Sequence, residues 1–291
     1  MLLKRSLGLI SALALAGTMA ACGSSNSSTA TGGGGPAKIG DCTVTSKANS
    51  IKVTPVKAGT LTVETTLPAQ GWWNGTTPQS IKSGYEYCMA ANLAHAAGLS
   101  SVTVKNVSFA QLVAGHTTDF DIALAEISIT PERAKVVDFS KPYFDSNIGV
   151  LVKSTSDVSE SNIKTKKLAA YSGTTSVDFL KNDMGVNPTI FPNSQTLYQG
   201  VISGQVDAAF LDTAIVLAEA KASKGTLKVV GQYSTGEKYG AIYPKGSANE
   251  DALNQGISDL QSQGILDQLS KDYLGPAFGG DPSAVPVWTI Q

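Results

Sequence analysis

Residues 121–144 read DIALAEISITPERAKVVDFSKPYF, and this stretch couples a buried strand to a turn that carries an arginine. The apolar run at residues 120–124 predicts the strand. Thr130 followed by Pro131 is typical of a helix start, with Thr130 as the N-cap. Arg133 therefore lies beyond the carboxyl end of a strand, which is where open α/β sheets bind their ligands. Its planar guanidinium suits two-point binding of a carboxylate.

Arginine is scarce in this chain, which sets Arg133 apart. The 291 residues include 22 basic side chains, and Arg5 and Arg133 are the only arginines among them. A surface pair with Glu132 or Asp138 is the plain alternative to a binding role, but lysine would serve there equally well. We therefore expect Arg133 to bind an anion through its fork of N–H donors.

The composition excludes several classes of function. With 22 basic against 23 acidic residues and a formal net charge of −1, the chain offers no basic surface for nucleic acid. Two His and three Cys leave little material for a metal centre or a His-based catalytic triad. We expect a globular protein that uses no metal and no cofactor.

The N-terminus has the features of an export signal. Basic residues precede an apolar stretch at residues 7–16, which is too short to span a membrane, and small residues then lead to Cys22. Residues 1–21 resemble a bacterial lipoprotein signal peptide, which implies lipidation of Cys22; secretion with ordinary cleavage is the alternative. Residues 22–40 are rich in Gly and Ser and are expected to form a flexible tether between a membrane anchor and the body.

Two cysteines, Cys42 and Cys88, remain once Cys22 is set aside for lipid. An even pair of cysteines in an exported protein favours a disulfide. We predict a bond between Cys42 and Cys88 that fixes the N-terminal arm to the helix carrying Cys88. Two buried thiols are the alternative.

Strands and helices alternate along the body, which predicts an α/β fold with a partly parallel sheet. The patterns predict helices at 84–97, 109–114, 176–182, 195–203, 213–222 and 249–274, and strands at 61–63, 102–104, 120–124, 148–152, 188–191, 208–210, 227–230 and 241–243, with one more from 168 into the Gly173 turn. Strands near 148–152 and 239–243 bracket a unit of about 90 residues, the size of an inserted lobe. Residues 41–149 and 239–291 are then expected to form lobe 1, and residues 150–238 lobe 2.

Beyond these patterns, residues 129–143 closely resemble the signature of the bacterial extracellular solute-binding proteins of the polar amino-acid type, family 3. Similarity to the family extends from residue 59 to residue 274 and includes Gly84-Tyr85-Glu86, Gly173-Thr174-Thr175, residues 204–212 and Tyr239-Gly240. The resemblance implies two α/β lobes of the periplasmic-binding-protein type, joined by two crossover strands, with an ABC permease as the partner. A ligand that bridges two lobes shifts the population of conformers toward the closed form.

The resemblance also assigns roles to residues of this chain. Arg133 would bind the α-carboxylate of an amino acid, helped by the backbone N–H groups and hydroxyls of Thr174 and Thr175 at a helix start. Asp212 would bind the α-ammonium, with a plain N-cap for the helix at 213–222 as the alternative. Further hydrogen bonds are expected from Ser128 and from the backbone at Ala125 and Glu126.

Some positions depart from the family pattern and bear on the side chain of the ligand. Glu126 stands where the family usually has glycine or another small residue; its carboxylate could select a cationic side chain, could donate as a protonated acid, or could point to solvent. Tyr171 occupies a position that varies with the ligand. Trp72, Trp73 and Phe109 are candidate walls of the binding site, and packing over the first strand is the alternative for the tryptophan pair.

The sequence therefore predicts a binding protein and not an enzyme. We expect a monomeric, extracytoplasmic, lipid-anchored receptor that captures a polar amino acid, cationic if Glu126 selects it, for an importer. The alternatives are a sensing partner of a membrane receptor and an exported dehydratase on the same fold, with Glu126 as its acid. No matched acid or base accompanies Glu126 in the sequence pattern, which argues against the enzyme.

Overall fold

Two five-stranded sheets form the framework of the protein. The computed structural model describes residues 37–290. The predicted signal peptide, the lipidation site Cys22 and most of the predicted tether lie outside the described residues. The folded body begins before the predicted end of the tether, because Lys38–Ile39 already pairs with Cys42–Thr43.

The helices and strands have the following bounds. The strands are β1 (Lys38–Ile39), β2 (Cys42–Thr43), β3 (Thr60–Thr65), β4 (Ser101–Asn106), β5 (Ile122–Ala123), β6 (Asp138–Phe139), β7 (Phe144–Lys153), β8 (Leu168–Tyr171), β9 (Thr189–Phe191), β10 (Ala208–Asp212), β11 (Leu227–Tyr239) and β12 (Ile242–Tyr243). The α-helices are α1 (Tyr85–Ala96), α2 (Phe109–Val113), α3 (Thr175–Asp178), α4 (Ser194–Ser203), α5 (Thr213–Ala222), α6 (Glu250–Ser262), α7 (Ile265–Leu269) and α8 (Gly275–Phe278).

The first sheet has the order β4-β3-β5-β12-β6 and mixes parallel with antiparallel pairs. β3 runs parallel to both β4 and β5, and every residue of β3 is buried. Burial on both faces is the usual environment of a parallel strand in an α/β protein. α1 packs against β3 and β4 and buries nearly all of its own residues, so this sheet is a stable platform for the loops at its edge.

The second sheet has the order β11-β7-β10-β8-β9. Its long strands β7 and β11 pair antiparallel over most of their length. β6 of the first sheet directly precedes β7, and β12 of the first sheet directly follows β11. The chain therefore enters and leaves the second sheet through one strand pair, which is the two-lobed α/β fold that the sequence predicted.

The prediction of a single helix at 249–274 is wrong. α6 ends at Ser262 and α7 begins at Ile265, because Gly264 adopts a φ of 68° and so interrupts the α-helical backbone. A π-helical turn over Ser270–Leu274 then follows α7. Apolar spacing continues through the break, which is why the pattern alone suggested one helix.

The other predicted helices and strands are all present. The helix predicted at 176–182 is divided between α3 and a π-helical turn over Phe179–Asp183. The strand predicted at 227–230 continues to Tyr239 as β11. This longer strand carries the chain back toward the first sheet, where Tyr239 bridges to Ser128.

The predicted disulfide between Cys42 and Cys88 is present and joins β2 to α1. Its Cα atoms are 5.5 Å apart. Both cysteines belong to the buried apolar cluster beneath α1. Two further clusters of buried apolar side chains also lie within residues 37–290, so the compact unit Pro36–Gln291 carries its own core.

Removal of this disulfide is expected to lower the free energy of unfolding by about 2–4 kcal/mol, because the bond closes a long loop in the unfolded chain. The change is Cys42→Ala with Cys88→Ala in the Pro36–Gln291 fragment, and urea denaturation against the oxidised wild type measures the difference. Two reactive thiols in the denatured, non-reduced wild type would contradict the prediction.

Candidate ligand-binding site

Arg133 begins a short 3-10 turn, Arg133–Lys135, and is 8% exposed. Its backbone N–H donates to the Thr130 hydroxyl oxygen at 3.2 Å, but the N-cap of this turn is Glu132 and not Thr130 as predicted. The guanidinium donates from Nη1 to the Ser128 carbonyl at 2.6 Å and from Nη2 to the Gly173 carbonyl at 2.8 Å. Arg133 thereby connects the segment after β5 with the loop after β8.

The surroundings of Arg133 are those of a buried cation and not of a surface ion pair. Asp138, one of the alternative partners, pairs with Lys245. The Arg133 guanidinium instead lies over the ring of Phe109, 5.4 Å from its centroid. Burial lowers the pKa of Arg133, and nearby carboxylates, Asp212 first, act in the opposite direction. Arginine keeps its charge in such surroundings, so the site holds a fixed positive charge.

Asp212 ends β10, directly precedes α5 and is 5% exposed. Asp212 occupies the N-cap position of α5, as the alternative expected, but its carboxylate makes no capping hydrogen bond to that helix. The carboxylate accepts from the Ser146 hydroxyl at 3.4 Å and from the Tyr239 hydroxyl. Burial raises the pKa of Asp212 to about 7, with the charge of Glu237 adding to the rise. The hydrogen bonds to this carboxylate offset only part of the cost of burying its charge. A cation that approaches Asp212 therefore strongly favours the ionised form.

Glu126 is buried beside Glu86, and its backbone has a φ of 50°. The Glu86 carboxylate is fully buried and accepts from Trp73 Nε1 at 2.7 Å, from the Glu126 backbone N–H at 3.0 Å and from the Tyr143 hydroxyl. Burial raises the pKa of both glutamates, and for Glu126 the negative charge of Glu86 raises it further. The hydrogen bonds that Glu86 accepts act against the rise in its own pKa. Because the Glu126 side chain is buried, the solvent-facing alternative for Glu126 is wrong.

The left-handed backbone at Glu126 explains why glycine would suit this position. We expect Glu126→Gly to be more stable than Glu126→Ala by about 1 kcal/mol, because a Cβ atom is unfavourable at this φ. The two variants remove the same carboxyl group, so the difference between their free energies of unfolding reports the cost of a Cβ atom at this backbone conformation. Urea denaturation of both measures it, and an alanine variant at least as stable as the glycine variant would contradict the expectation.

A cavity of about 260 Å³ and a narrow pocket of about 10 Å³ lie side by side at these groups. Both are lined by Phe109, Ala125, Glu126, Tyr171, Leu211 and Ile215. The narrow pocket adds Ser128, Arg133, Thr174, Thr175 and Asp212, so the structure brings together the residues that the sequence singled out. The larger cavity extends along α4 and α5, where it adds Gln195, Tyr198, Gln199 and Glu219. These four helical residues were missed, because helical spacing alone does not mark a polar side chain as part of a site.

The two tryptophans have different positions. Trp73 does not line the cavity; it is fully buried, and its indole N–H donates to Glu86. Trp72 lines the cavity and also packs edge-on against Phe144 and Tyr239. The structure therefore places Trp73 in the core, while Trp72 lies at the boundary between core and cavity.

Some of the hydrogen-bond donors expected to bind the ligand already donate to groups of the protein. The Thr174 hydroxyl and its backbone N–H donate to the Tyr171 carbonyl at 2.8 Å and 3.4 Å. The Glu126 backbone N–H is taken by Glu86. The hydroxyl of Thr175 points to a different acceptor, Glu237.

Glu237 is a candidate that sequence reasoning missed. It lies on β11, two residues before Tyr239. Its Oε2 accepts from the Thr175 hydroxyl at 2.9 Å and from the Ser128 hydroxyl. Only its position just before the Tyr239-Gly240 motif could have marked Glu237 as a site residue, since the residues around it show no periodic pattern.

Two absences hold for the described part of the chain. Within residues 37–290, no helix is both long enough and apolar enough to cross a membrane. Over the same range, His, Cys, Asp and Glu side chains form no group of three placed to hold a metal ion.

Comparison with known proteins supplies independent information on the family. The model of the bacterial extracellular solute-binding proteins, family 3, matches residues 75–276. The L-cystine-binding protein TcyJ of Escherichia coli (strain K12) is 30% identical over 200 residues, covering 66% of this chain and 74% of TcyJ. The ABC transporter glutamine-binding protein GlnH of Bacillus subtilis (strain 168) is 32% identical over 160 residues, covering 54% of this chain and 58% of GlnH.

A solved structure agrees with this assignment. An ancestral arginine-binding protein bound to arginine is 30% identical, has a TM-score of 0.65, and covers 74% of this chain and 98% of its own. The family match includes every residue that lines the narrow pocket and spans more than half of the chain. The chain therefore belongs to the bacterial extracellular solute-binding proteins, family 3.

Proposed function

We propose that the protein is the extracytoplasmic substrate-binding protein of an ABC importer and that it captures an amino acid at the narrow pocket. The observation that carries this proposal is that two buried side chains of opposite charge, Arg133 and Asp212, line the same pocket. Arg133 follows β5 of the first sheet, and Asp212 ends β10 of the second. An amino acid is a zwitterion, and a buried zwitterion needs one fixed cation and one fixed anion. The relatives named for cystine, glutamine and arginine support the same class of ligand.

In the proposed complex, Arg133 binds the α-carboxylate together with the hydroxyls of Ser128 and Thr175. Asp212 receives the α-ammonium, whose charge compensates the buried carboxylate. Since Arg133 belongs to the first-sheet side and Asp212 ends a strand of the second sheet, the bound amino acid links the two halves of the fold. Ligand binding then favours the closed conformation.

The larger cavity is proposed to receive the side chain of a polar amino acid. Its lining includes Gln195, Gln199 and the carboxyl groups of Glu126 and Glu219. Burial raises the pKa of both carboxyl groups. A cationic side chain would favour their ionised forms, so the lining supports a polar ligand and suits a cationic one.

The proposal also covers where the protein acts and whether it acts as a monomer. We infer a lipid anchor at Cys22 from the signal-like residues 1–21, which keeps the receptor at the membrane beside its permease. The family description as extracellular supports an extracytoplasmic site of action. The receptor is proposed to act as a monomer.

We infer that the bound amino acid is released unchanged. The buried carboxyl group of Glu126 is the group that a dehydratase on this fold would use as an acid, so this alternative has a direct test. Incubation of the protein with excess L-arginine, L-glutamine or L-cystine, and separately with a hydroxylated cyclic amino acid or keto acid that a dehydratase could use, followed by mass spectrometry, should recover each compound intact. A product smaller by one water would reject the binding role in favour of the enzyme.

A thermal-shift screen of Pro36–Gln291 against the common amino acids tests the proposal. A ligand at 100 times its dissociation constant stabilises the folded state by about 2.7 kcal/mol, which gives a clear increase in the unfolding temperature. The methyl ester of each active amino acid lacks the carboxylate and serves as the matched control. Equal shifts from acid and ester, or no shift from any amino acid, would reject the proposed function.

Binding is expected to weaken as the pH falls below about 7, by roughly tenfold per pH unit. The pKa of Asp212 is about 7 in the ligand-free protein, and a bound ammonium lowers it, so protonation of Asp212 opposes binding. Asp212 has the opposite effect on the stability of the ligand-free protein. Its contribution to the free energy of unfolding is fully present below its ordinary pKa of 3.8 and is lost as the pH rises through 7. Calorimetry between pH 5.5 and 8 in matched buffers measures the binding effect, with Asp212→Asn as the control.

A further inference from the structure

Glu237 lies where the strand pair β7–β11 is irregular. The pairing register shifts between Tyr233 and Glu237, and regular pairing resumes from Glu237 opposite Ser146. The next residue, Lys238, pairs with Asp145 and so turns its charge away from Glu237. The Glu237 side chain is half-buried and reaches the narrow pocket's hydroxyl groups.

One oxygen atom of Glu237 joins the two halves of the fold. Oε2 accepts from the Ser128 hydroxyl, which follows β5 of the first sheet. It also accepts at 2.9 Å from the Thr175 hydroxyl, which starts α3 after β8 of the second sheet. The negative charge of Glu237 acts on Arg133 as well.

These contacts are the ones that the proposed complex assigns to the α-carboxylate of the ligand. The Ser128 and Thr175 hydroxyls would each serve both carboxylates, and a hydroxyl proton can be donated to one acceptor at a time. The narrow pocket, at about 10 Å³, is correspondingly small in the structure. An incoming carboxylate must therefore displace the Glu237 carboxylate from these hydroxyls.

We propose that Glu237 is an internal occupant of the carboxylate-binding site, which holds the ligand-free protein closed and competes with the carboxylate of the ligand. The competition rests on the proposed function, whereas the closure of the ligand-free protein does not. Loss of the occupant frees the Ser128 and Thr175 hydroxyls and removes the contact that joins the two sheets. The ligand-free protein should then open, and amino acids should bind more tightly.

Glu237→Gln and Glu237→Ala in Pro36–Gln291 provide the test. The glutamine removes the charge at nearly constant shape, and the alanine also removes the acceptor. Glu160→Gln is the matched control, because the Glu160 carboxylate also accepts from a threonine hydroxyl, that of Thr289. Thr289 lines neither pocket, whereas the donors to Glu237, Ser128 and Thr175, both line the narrow one.

The probes are L-arginine, L-glutamine, L-cystine and L-argininamide, which lacks the carboxylate. For each amino acid that binds the wild type, calorimetry should show about tenfold tighter binding by Glu237→Ala, since the Glu237 carboxylate no longer competes for the Ser128 and Thr175 hydroxyls. Argininamide should gain nothing, and Glu160→Gln should match the wild type. Unchanged or weaker amino-acid binding by Glu237→Ala would overturn the proposal and would indicate that Glu237 assists the ligand.

Small-angle X-ray scattering of the ligand-free proteins gives a second readout that needs no ligand. The radius of gyration of Glu237→Ala should exceed that of the wild type, with Glu160→Gln unchanged. Identical scattering of wild type and Glu237→Ala would overturn the proposal. If no amino acid binds the wild type, the proposed function fails, and the scattering comparison still decides whether Glu237 holds the protein closed.

Discussion

Replacement of Arg133 with alanine is expected to weaken amino-acid binding by about 3–5 kcal/mol. The guanidinium is held by the carbonyls of Ser128 and Gly173, so it is oriented before a ligand arrives. Without it, a bound carboxylate would be buried beside hydroxyl donors and no cation, which leaves its charge uncompensated. Calorimetry of Pro36–Gln291 with L-arginine, L-glutamine and L-cystine measures the loss.

Arg133→Lys is the matched control for charge. Lysine keeps a cation but lacks the planar fork, so it cannot bond both carbonyls and still present two parallel donors to a carboxylate. We expect its affinity to lie between those of the wild type and Arg133→Ala. Thermal denaturation of both variants separates a loss of binding from a loss of folding. A loss below tenfold in a folded Arg133→Ala protein would reject the carboxylate role.

Replacement of Asp212 with asparagine is expected to weaken binding at pH 8 by about 2–5 kcal/mol. The α-ammonium would then lie beside a neutral amide, and its positive charge would lose its buried anionic partner. Asparagine retains an acceptor for the hydroxyls of Ser146 and Tyr239, so the local hydrogen bonds are largely kept. Calorimetry with the same three amino acids measures the change.

The same substitution should have the opposite effect on the ligand-free protein. Burial raises the pKa of Asp212 to about 7, which means that its ionised form is unfavourable in the folded state at pH 8. Asp212→Asn is therefore expected to raise the unfolding temperature at pH 8 while it weakens binding. Amino-acid affinity equal to the wild type would rule out the ammonium role, whatever the stability.

The site residues that the sequence predicted stand at strand ends. Arg133 follows β5, and Asp212 ends β10. Apolar periodicity locates the ends of strands, and in an open α/β sheet these ends meet at one edge. The pairing of Cys42 with Cys88 followed in the same way from the number of cysteines and the expected compartment.

Other features depend on contacts that no local pattern encodes. Trp72 and Trp73 are adjacent and chemically identical, yet one lines the cavity and the other bonds to Glu86 in the core. Gly264 breaks a helix only because it adopts a left-handed backbone, which the spacing of apolar residues does not reveal. Glu237 meets its partners through a register shift far along β11.

The covalent link between β2 and α1 also sets an order of events for a chain that is exported as proposed. Bacterial cytosol keeps thiols reduced, and oxidation occurs outside it. Before translocation, Cys42 and Cys88 therefore remain separate, and the N-terminal arm is not locked onto α1. The newly made precursor is then easier to keep unfolded for the secretion machinery. After delivery, the receptor acquires a resistance to unfolding that its precursor lacked.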